Sequence, residues 1–154
     1  MTPDVRRAGI VDVTFGARVI VTEPCNLYGC SLGDDVFVGP FVEIQRRAVI
    51  GARSRIQSHA FVCELVTIGE DCFISHGVMF INDRFGTGGP ARGDQSLWQP
   101  TRVGNKVSIG SNATILPVSI CAGAVIGAGA VVTSDITEPA IYAGNPARKI
   151  RNIT

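Results

Sequence analysis

The chain has 154 residues, enough for one domain, and 45% of them are hydrophobic, ample for a core. A net charge of +1 gives no electrostatic case for nucleic acid or an acidic membrane surface. There is no apolar run of membrane-spanning length, and the opening MTPDVRRAG has no apolar leader core, so a soluble, cytoplasmic protein is expected.

Residues 1–31 begin a pattern imperfectly: Asn26 falls where an aliphatic belongs, which predicts a poorly matched capping segment. From there the pattern is regular. Leu32, Val38, Ile44, Ile50, Ile56, Val62, Ile68 and Ile74 recur every sixth residue, and Phe80 continues the series. A period of six fits neither a helix nor a lone strand, so it marks a structural repeat. A second register lies two residues earlier: Val36, Val42, Ala48, Ser54, Ala60, Val66, Cys72 and Val78 are all small or medium. Residues two apart on an extended strand face the same way, so both registers point inward. Glycine follows the aliphatic at Gly33, Gly39, Gly51, Gly69, Gly104, Gly110 and Gly127, where the backbone is expected to pass close to itself.

Residues 84–101 break the repeat with four glycines and two prolines, and carry the only tryptophan, Trp98. A long excursion from a regular solenoid usually has a use, and here a flap reaching a neighbouring subunit is expected. The repeat resumes at Val103, Ile109 and Ile115. Ile126 and Val132 follow 11 and 17 residues beyond Ile115, which predicts a one-residue deletion within Leu116–Ile120. After Val132 the pattern stops and a tail is expected. The five cysteines are odd in number and lack zinc-ligand spacing, so they read as reduced structural thiols.

The tandem [LIV]-G-x4 pattern resembles the hexapeptide-repeat proteins. The resemblance implies an all-β, left-handed parallel β-helix in which three hexads make one triangular coil, over a single domain 1–154, and a homotrimer with sites between subunits. The general crossover rule would have favoured the right hand, so the handedness rests on the resemblance alone. With coils of 18 residues, Arg46, Glu64 and Asn82 form one corner column, with Asp83 beside its top at the base of the flap. These polar groups could hold an amine or a sugar hydroxyl, or could be an ordinary solvated corner. Both histidines fall at a different corner: His76 stacks on Ser58, and His59 adjoins it. Either could serve as a general base or as a corner hydrogen-bonding group. His59 is the better candidate, because Arg55, Gln57 and Ser58 make its segment polar.

The stretches Ile56–Glu64 and Phe73–Phe85, with Phe80-Ile81-Asn82-Asp83, resemble the nucleotide-sugar N-acetyltransferases. That resemblance implies acetyl transfer to the 3-amino group of a UDP- or dTDP-linked sugar for bacterial surface glycans. It implies catalytic roles for Asn82, Glu64 and Asp83, to which the polar corner segment adds His59 as a candidate base. Substrate contacts are expected at Arg46, Gln57, His76, Arg84 and Trp98. Some relatives carry a histidine where this chain has Arg46. The ending Ala143–Ile150 is similar to the G-x-P-A-[KR] ending of hexapeptide acyltransferases and implies a coenzyme A contact at Pro146, Arg148 and Lys149. Small residues at Ser111, Ala113, Ala128 and Ala130 would leave backbone amides open to a pantetheine arm. Acetyl-CoA is the implied co-substrate, and no metal is expected. An acetyltransferase of another small acceptor using a histidine base, and a non-catalytic scaffold, remain the alternatives. A γ-class carbonic anhydrase is disfavoured, since it needs three histidine ligands and the chain has two.

Overall fold

The computed structural model describes residues 1–154. Every strand is short because the chain turns a corner after each one. Three strands make a coil. The first holds β1 (Ile10–Val11), β2 (Thr14–Phe15) and β3 (Ile20–Val21), and the second β4 (Asn26–Tyr28), β5 (Ser31–Leu32) and β6 (Phe37–Val38). The third holds β7 (Glu43–Ile44), β8 (Val49–Ile50) and β9 (Arg55–Ile56), and the fourth β10 (Phe61–Val62), β11 (Val66–Ile68) and β12 (Phe73–Ile74). The fifth holds β13 (Met79–Phe80), β14 (Thr101–Val103) and β15 (Ser108–Ile109), and the sixth β16 (Thr114–Ile115), β17 (Ser119–Ile120) and β18 (Val125–Ile126). The seventh holds β19 (Val131–Val132) and β20 (Ala140–Ala143), and β21 (Arg148–Asn152) closes the end.

These strands stack into three parallel walls. Wall A runs β1-β4-β7-β10-β13-β16-β19, wall B β2-β5-β8-β11-β14-β17, and wall C β3-β6-β9-β12-β15-β18-β20 with β21 added antiparallel. The result is an all-β parallel solenoid of about seven turns. In each regular coil the second residue of the strand is buried and the first faces out. Both inward registers are buried as expected, from Val36 and Val38 through Val78 and Phe80. Ser54 and Thr101 are the polar exceptions at inward positions. The Ser54 hydroxyl donates to Gly69 O at 2.8 Å and accepts from Cys72 N at 3.0 Å, and the Thr101 hydroxyl donates to Leu116 O at 3.4 Å, so neither is left unpaired.

The glycines do ease a close approach, and the approach is between coils. A Cβ at Gly51 would lie 2.4 Å from the carbonyl carbon of Gly69, and one at Gly69 would lie 2.7 Å from that of Gly104. Neither position has a left-handed backbone, so the requirement is for space alone.

Three sequence expectations are corrected. Leu27, not Asn26, fills the inward position: it pairs with Ile44 and is fully buried, because the corner between β4 and β5 lacks one residue. Asn26 lies on the outer face and donates to Glu43. Residues after Val132 are not a free tail: Ile136 bridges to Ile120, Tyr142 pairs with Ile126, and β20 and β21 form a hairpin over the open end. Thr101 belongs to the solenoid, paired with Val66 and buried, so the excursion spans 81–100. The deletion expected in Leu116–Ile120 is present, as Ile115 pairs with Phe80 and Ile120 with Val103.

Candidate functional site

The three corners of the prism carry three chemistries. At the B–C corner the charges alternate and cancel. Arg18 pairs with Asp35 at 2.6 Å, and Arg53 pairs with Asp71 at 2.8 Å and Glu70 at 2.5 Å. This corner is an exposed structural ladder.

The A–B corner is where the chain departs from six-residue spacing, losing one residue in the first, second and sixth coils and two in the seventh, and extruding the loop in the fifth. The expected column stands here. The Glu64 side chain is 9% exposed and receives two guanidiniums, Arg47 at 2.5 Å on Oε2 and Arg46 Nε at 3.4 Å on Oε1. Asn82 donates its Nδ2 to Glu64 O at 3.3 Å, while its Oδ1 accepts nothing from the chain. Glu64 thus spends both oxygens on holding the column, and Asn82 keeps a free acceptor.

The loop is not structureless. Asp83 accepts the amides of Phe85 at 2.8 Å and Ala91 at 2.7 Å, one on each carboxylate oxygen. Asp94 caps a short 3-10 turn, Gln95–Leu97. Gln95 Oε1 accepts from Arg47 at 3.0 Å, which ties the loop to the column. Arg84 bridges the base of the loop to Gln99 and to the Pro117 carbonyl. Beneath the loop lies a cleft of about 240 Å³ lined by Gln45, Phe61, Cys63, Ile81, Asn82, Asp83, Phe85 and Trp98. Asn82, Asp83 and Trp98 therefore converge as expected. Gln45, Phe61, Cys63 and Phe85 were not foreseen, although Phe61 and Gln45 occupy the readable outward positions of their hexads. Burial pushes the Cys63 thiol up to about 12, so it stays protonated and is a poor nucleophile at neutral pH.

The C–A corner carries the histidines. Ser58 Oγ and His76 Nδ1 are 2.8 Å apart, which engages one ring nitrogen and leaves Nε2 without a partner in the chain. His59 instead stacks on Phe41, with ring centroids 4.8 Å apart and planes at 26°. Gln57 holds this corner through its backbone, accepting from Ala60 N. His76, not His59, is therefore the oriented imidazole. The amides of Ser58, His76, Ser111 and Ala128 stack along this same corner, and none donates to an acceptor in the chain. Ala113 and Ala130 are fully buried and their amides donate to Gly110 O and Gly127 O, so of the four small residues only Ser111 and Ala128 keep amides unpaired in the chain. The corner ends at Gly144 and Pro146, where Val131 N donates to Gly144 O and Ala147 N to Val131 O. Lys149 is paired with Glu138 at 2.9 Å, while Arg148 and Arg151 carry no ion pair. On one chain, then, the cofactor candidates and His76 share a corner, and the Glu64–Asn82 column stands at another. No group of three or more His, Cys, Asp or Glu side chains is placed to hold a metal. No helix is long and apolar enough to cross a membrane.

Two family models match the chain: "Bacterial transferase hexapeptide (six repeats)" over residues 29–64 and "Hexapeptide repeat of succinyl-transferase" over residues 100–134. The chain carries the hexapeptide repeat of the bacterial transferases. This is consistent with a left-handed winding of the observed solenoid. The chain is 30% identical over 151 residues to the bifunctional protein GlmU of Thermotoga petrophila, spanning 92% of this chain and 33% of that protein. It thus spans about a third of the length of the curated relatives it matches. Its fold is similar to that of AntD, an N-acyltransferase from Bacillus cereus solved with dTDP and coenzyme A (TM-score 0.81, 24% identity, 94% of this chain and 86% of that one). A galactoside acetyltransferase solved with coenzyme A is 28% identical over 82% of this chain and 66% of that one, with a TM-score of 0.69. Both of these solved neighbours are acyltransferases.

Proposed function

We propose that this hexapeptide-repeat chain is an acetyl-CoA-dependent N-acetyltransferase acting on the 3-amino group of a UDP- or dTDP-linked sugar. The observation that carries the reading is Asn82: its Oδ1 has no partner in the chain, and the residue lines a cleft walled by Trp98, Phe61 and Phe85, under a loop tied to its own column. An amide oxygen of this kind can accept an N–H from a neutral amine and aim its lone pair, while aromatic faces take a sugar ring or base. The amine attacks the thioester carbonyl, the C–S bond breaks, and the departing sulfur takes the amine's proton. No covalent enzyme intermediate is needed, and the high pKa of Cys63 argues against one. The dTDP and coenzyme A bound by AntD favour the same pairing of substrates.

The open amides of Ser111 and Ala128 suit the amides of a pantetheine arm, with Arg148 beyond Pro146 available to a phosphate. The two half-sites lie at different corners, which a homotrimer would bring together across an interface. Outward residues support that packing. Wall A presents Phe61, Met79 and Val131, and wall C presents Phe37, Phe73 and Val125. Wall B presents Ser31, Thr67, Arg102 and Ser119, with Val49 as its outward aliphatic. The A and C walls, with Phe41 at their shared corner, form the apolar side.

A second reading, with His76 Nε2 as general base for a hydroxyl acceptor, is favoured by the Ser58 contact. Thiol release from acetyl-CoA separates the two. The panel is 3-amino and 4-amino sugars linked to UDP and dTDP, together with chloramphenicol. Turnover of 3-amino nucleotide sugars supports the proposal. Turnover of chloramphenicol alone, abolished by His76→Ala, moves the chemistry to the other corner.

A further inference from the structure

Resting on the acetyltransferase reading above, we propose that Arg46 selects an acceptor bearing a carboxylate: an amino-sugar acid in preference to a neutral amino sugar. Four arginines stand near the column and loop, and three are unsuited. Arg47 is consumed by Glu64 Oε2 at 2.5 Å and Gln95 Oε1 at 3.0 Å. Arg84 is consumed by Gln99 and the Pro117 carbonyl. Arg92 lies out on the loop, away from the column, whereas Arg46, which like Arg92 does not line the cleft itself, stands in the column below Asn82.

Arg46 differs from all three. It stands in the column, one coil from Glu64 and two from Asn82. Its single ion pair runs through Nε at a long 3.4 Å, and 59% of its side chain is exposed. Neither terminal nitrogen donates to any group in the chain. The guanidinium is nevertheless positioned, with Cζ 5.7 Å from the centroid of the Tyr28 ring. Gly29 stands one coil away on the side opposite Glu64, where a Cβ would lie 2.8 Å from Arg46 Cβ, so this glycine keeps the space around the side chain open.

A guanidinium anchored at Nε with both ends free is a fork matched to a carboxylate. The two coils between Arg46 and Asn82 span about 9.6 Å of backbone stacking. Hydrogen bonds of about 3 Å at each end would leave a gap of about the breadth of one sugar ring. An acceptor with its amine at Asn82 and a carboxylate across the ring would satisfy both.

The test uses two acceptors that differ only at C6, a 3-amino-3-deoxy uronate and its hydroxymethyl counterpart, each linked to UDP and to dTDP. Thiol release is measured for the wild-type chain, Arg46→Gln and Arg46→Lys. The wild type should favour the acid at least about tenfold in kcat/KM. Arg46→Gln should lose about a hundredfold on the acid and stay within about threefold on the neutral sugar. Arg46→Lys, which keeps the charge without the fork, should fall between. Equal losses on both acceptors would put the anion in the shared diphosphate and overturn the proposal, as would a wild type that prefers the neutral sugar. No release with any amino sugar, alongside turnover of chloramphenicol, would overturn the reading of the function and this proposal with it.

Discussion

Asn82 and Glu64 sit in the same column with different duties. Glu64 is bound by two arginines, so its carboxylate has no oxygen to spare, whereas Asn82 keeps Oδ1 for a ligand. Asn82→Ala should therefore lower kcat at least about tenfold, the worth of one hydrogen bond to a group gaining charge. Steady-state thiol release checks this, and unchanged turnover would remove Asn82 from the site. The buried thiols make a separate prediction. Burial raises Cys30 to about 11 and Cys63 to about 12, from an ordinary 9.0. Each is neutral in the fold and ionises at lower pH once unfolded. Their stabilisation is complete below pH 9 and is lost as pH rises toward 11 and 12. Between pH 9 and 11 the wild-type Tm should fall more steeply than that of a Cys30→Ala, Cys63→Ala double variant. Parallel slopes would count against this account.

At the scale of the element, the loop 81–100 is held as a unit. Its anchors are Asp83 on two amides, Arg84 across its base, and Arg47 on Gln95. None of these contacts lies within the coil ladder, so the loop can open without unwinding the solenoid. Asp83→Ala should leave Tm within a few degrees of wild type, raise amide exchange at Phe85 and Ala91, and lower turnover by unsettling Trp98. If turnover fell while exchange stayed slow, Asp83 would act on the substrate directly. The other corners explain why the loop leaves where it does. The B–C corner is committed to its ion-pair ladder and the C–A corner to its stacked rings and open amides. The A–B corner is the one where spacing varies from coil to coil.

For the whole molecule, the asymmetry of the walls is the leading feature. Two faces carry outward aromatic and aliphatic side chains among polar ones, and the third carries Val49 among otherwise polar outward residues. With the two half-sites at different corners, this predicts that light scattering will report three times the chain mass. Phe73→Glu, at the centre of wall C, should lower that mass and cut turnover together. A monomer retaining full activity would overturn the composite site.

The sequence by itself determined the solenoid. A six-residue period can be read without contacts, because every inward position must be apolar and every coil meets the same constraint. The same arithmetic predicted the extruded segment, the deletion before Ile120, and the columns that bring Arg46, Glu64 and Asn82 together and place His76 on Ser58. It failed where a corner lost a residue unannounced. Leu27 took the place assigned to Asn26, and Tyr142 closed a seventh turn beyond the last aliphatic match. Backbone pairing decided both, since a strand slides by one residue when its neighbours reward it. Only the tertiary structure decided which polar groups are free. Long side chains at a corner can reach several neighbours, and the sequence does not say which they choose. Arg47 and Arg84 are spent and Arg46 is not, His76 is oriented while His59 is stacked, and the loop is tied down. Each of these outcomes depends on side-chain directions and on contacts between residues distant in the chain.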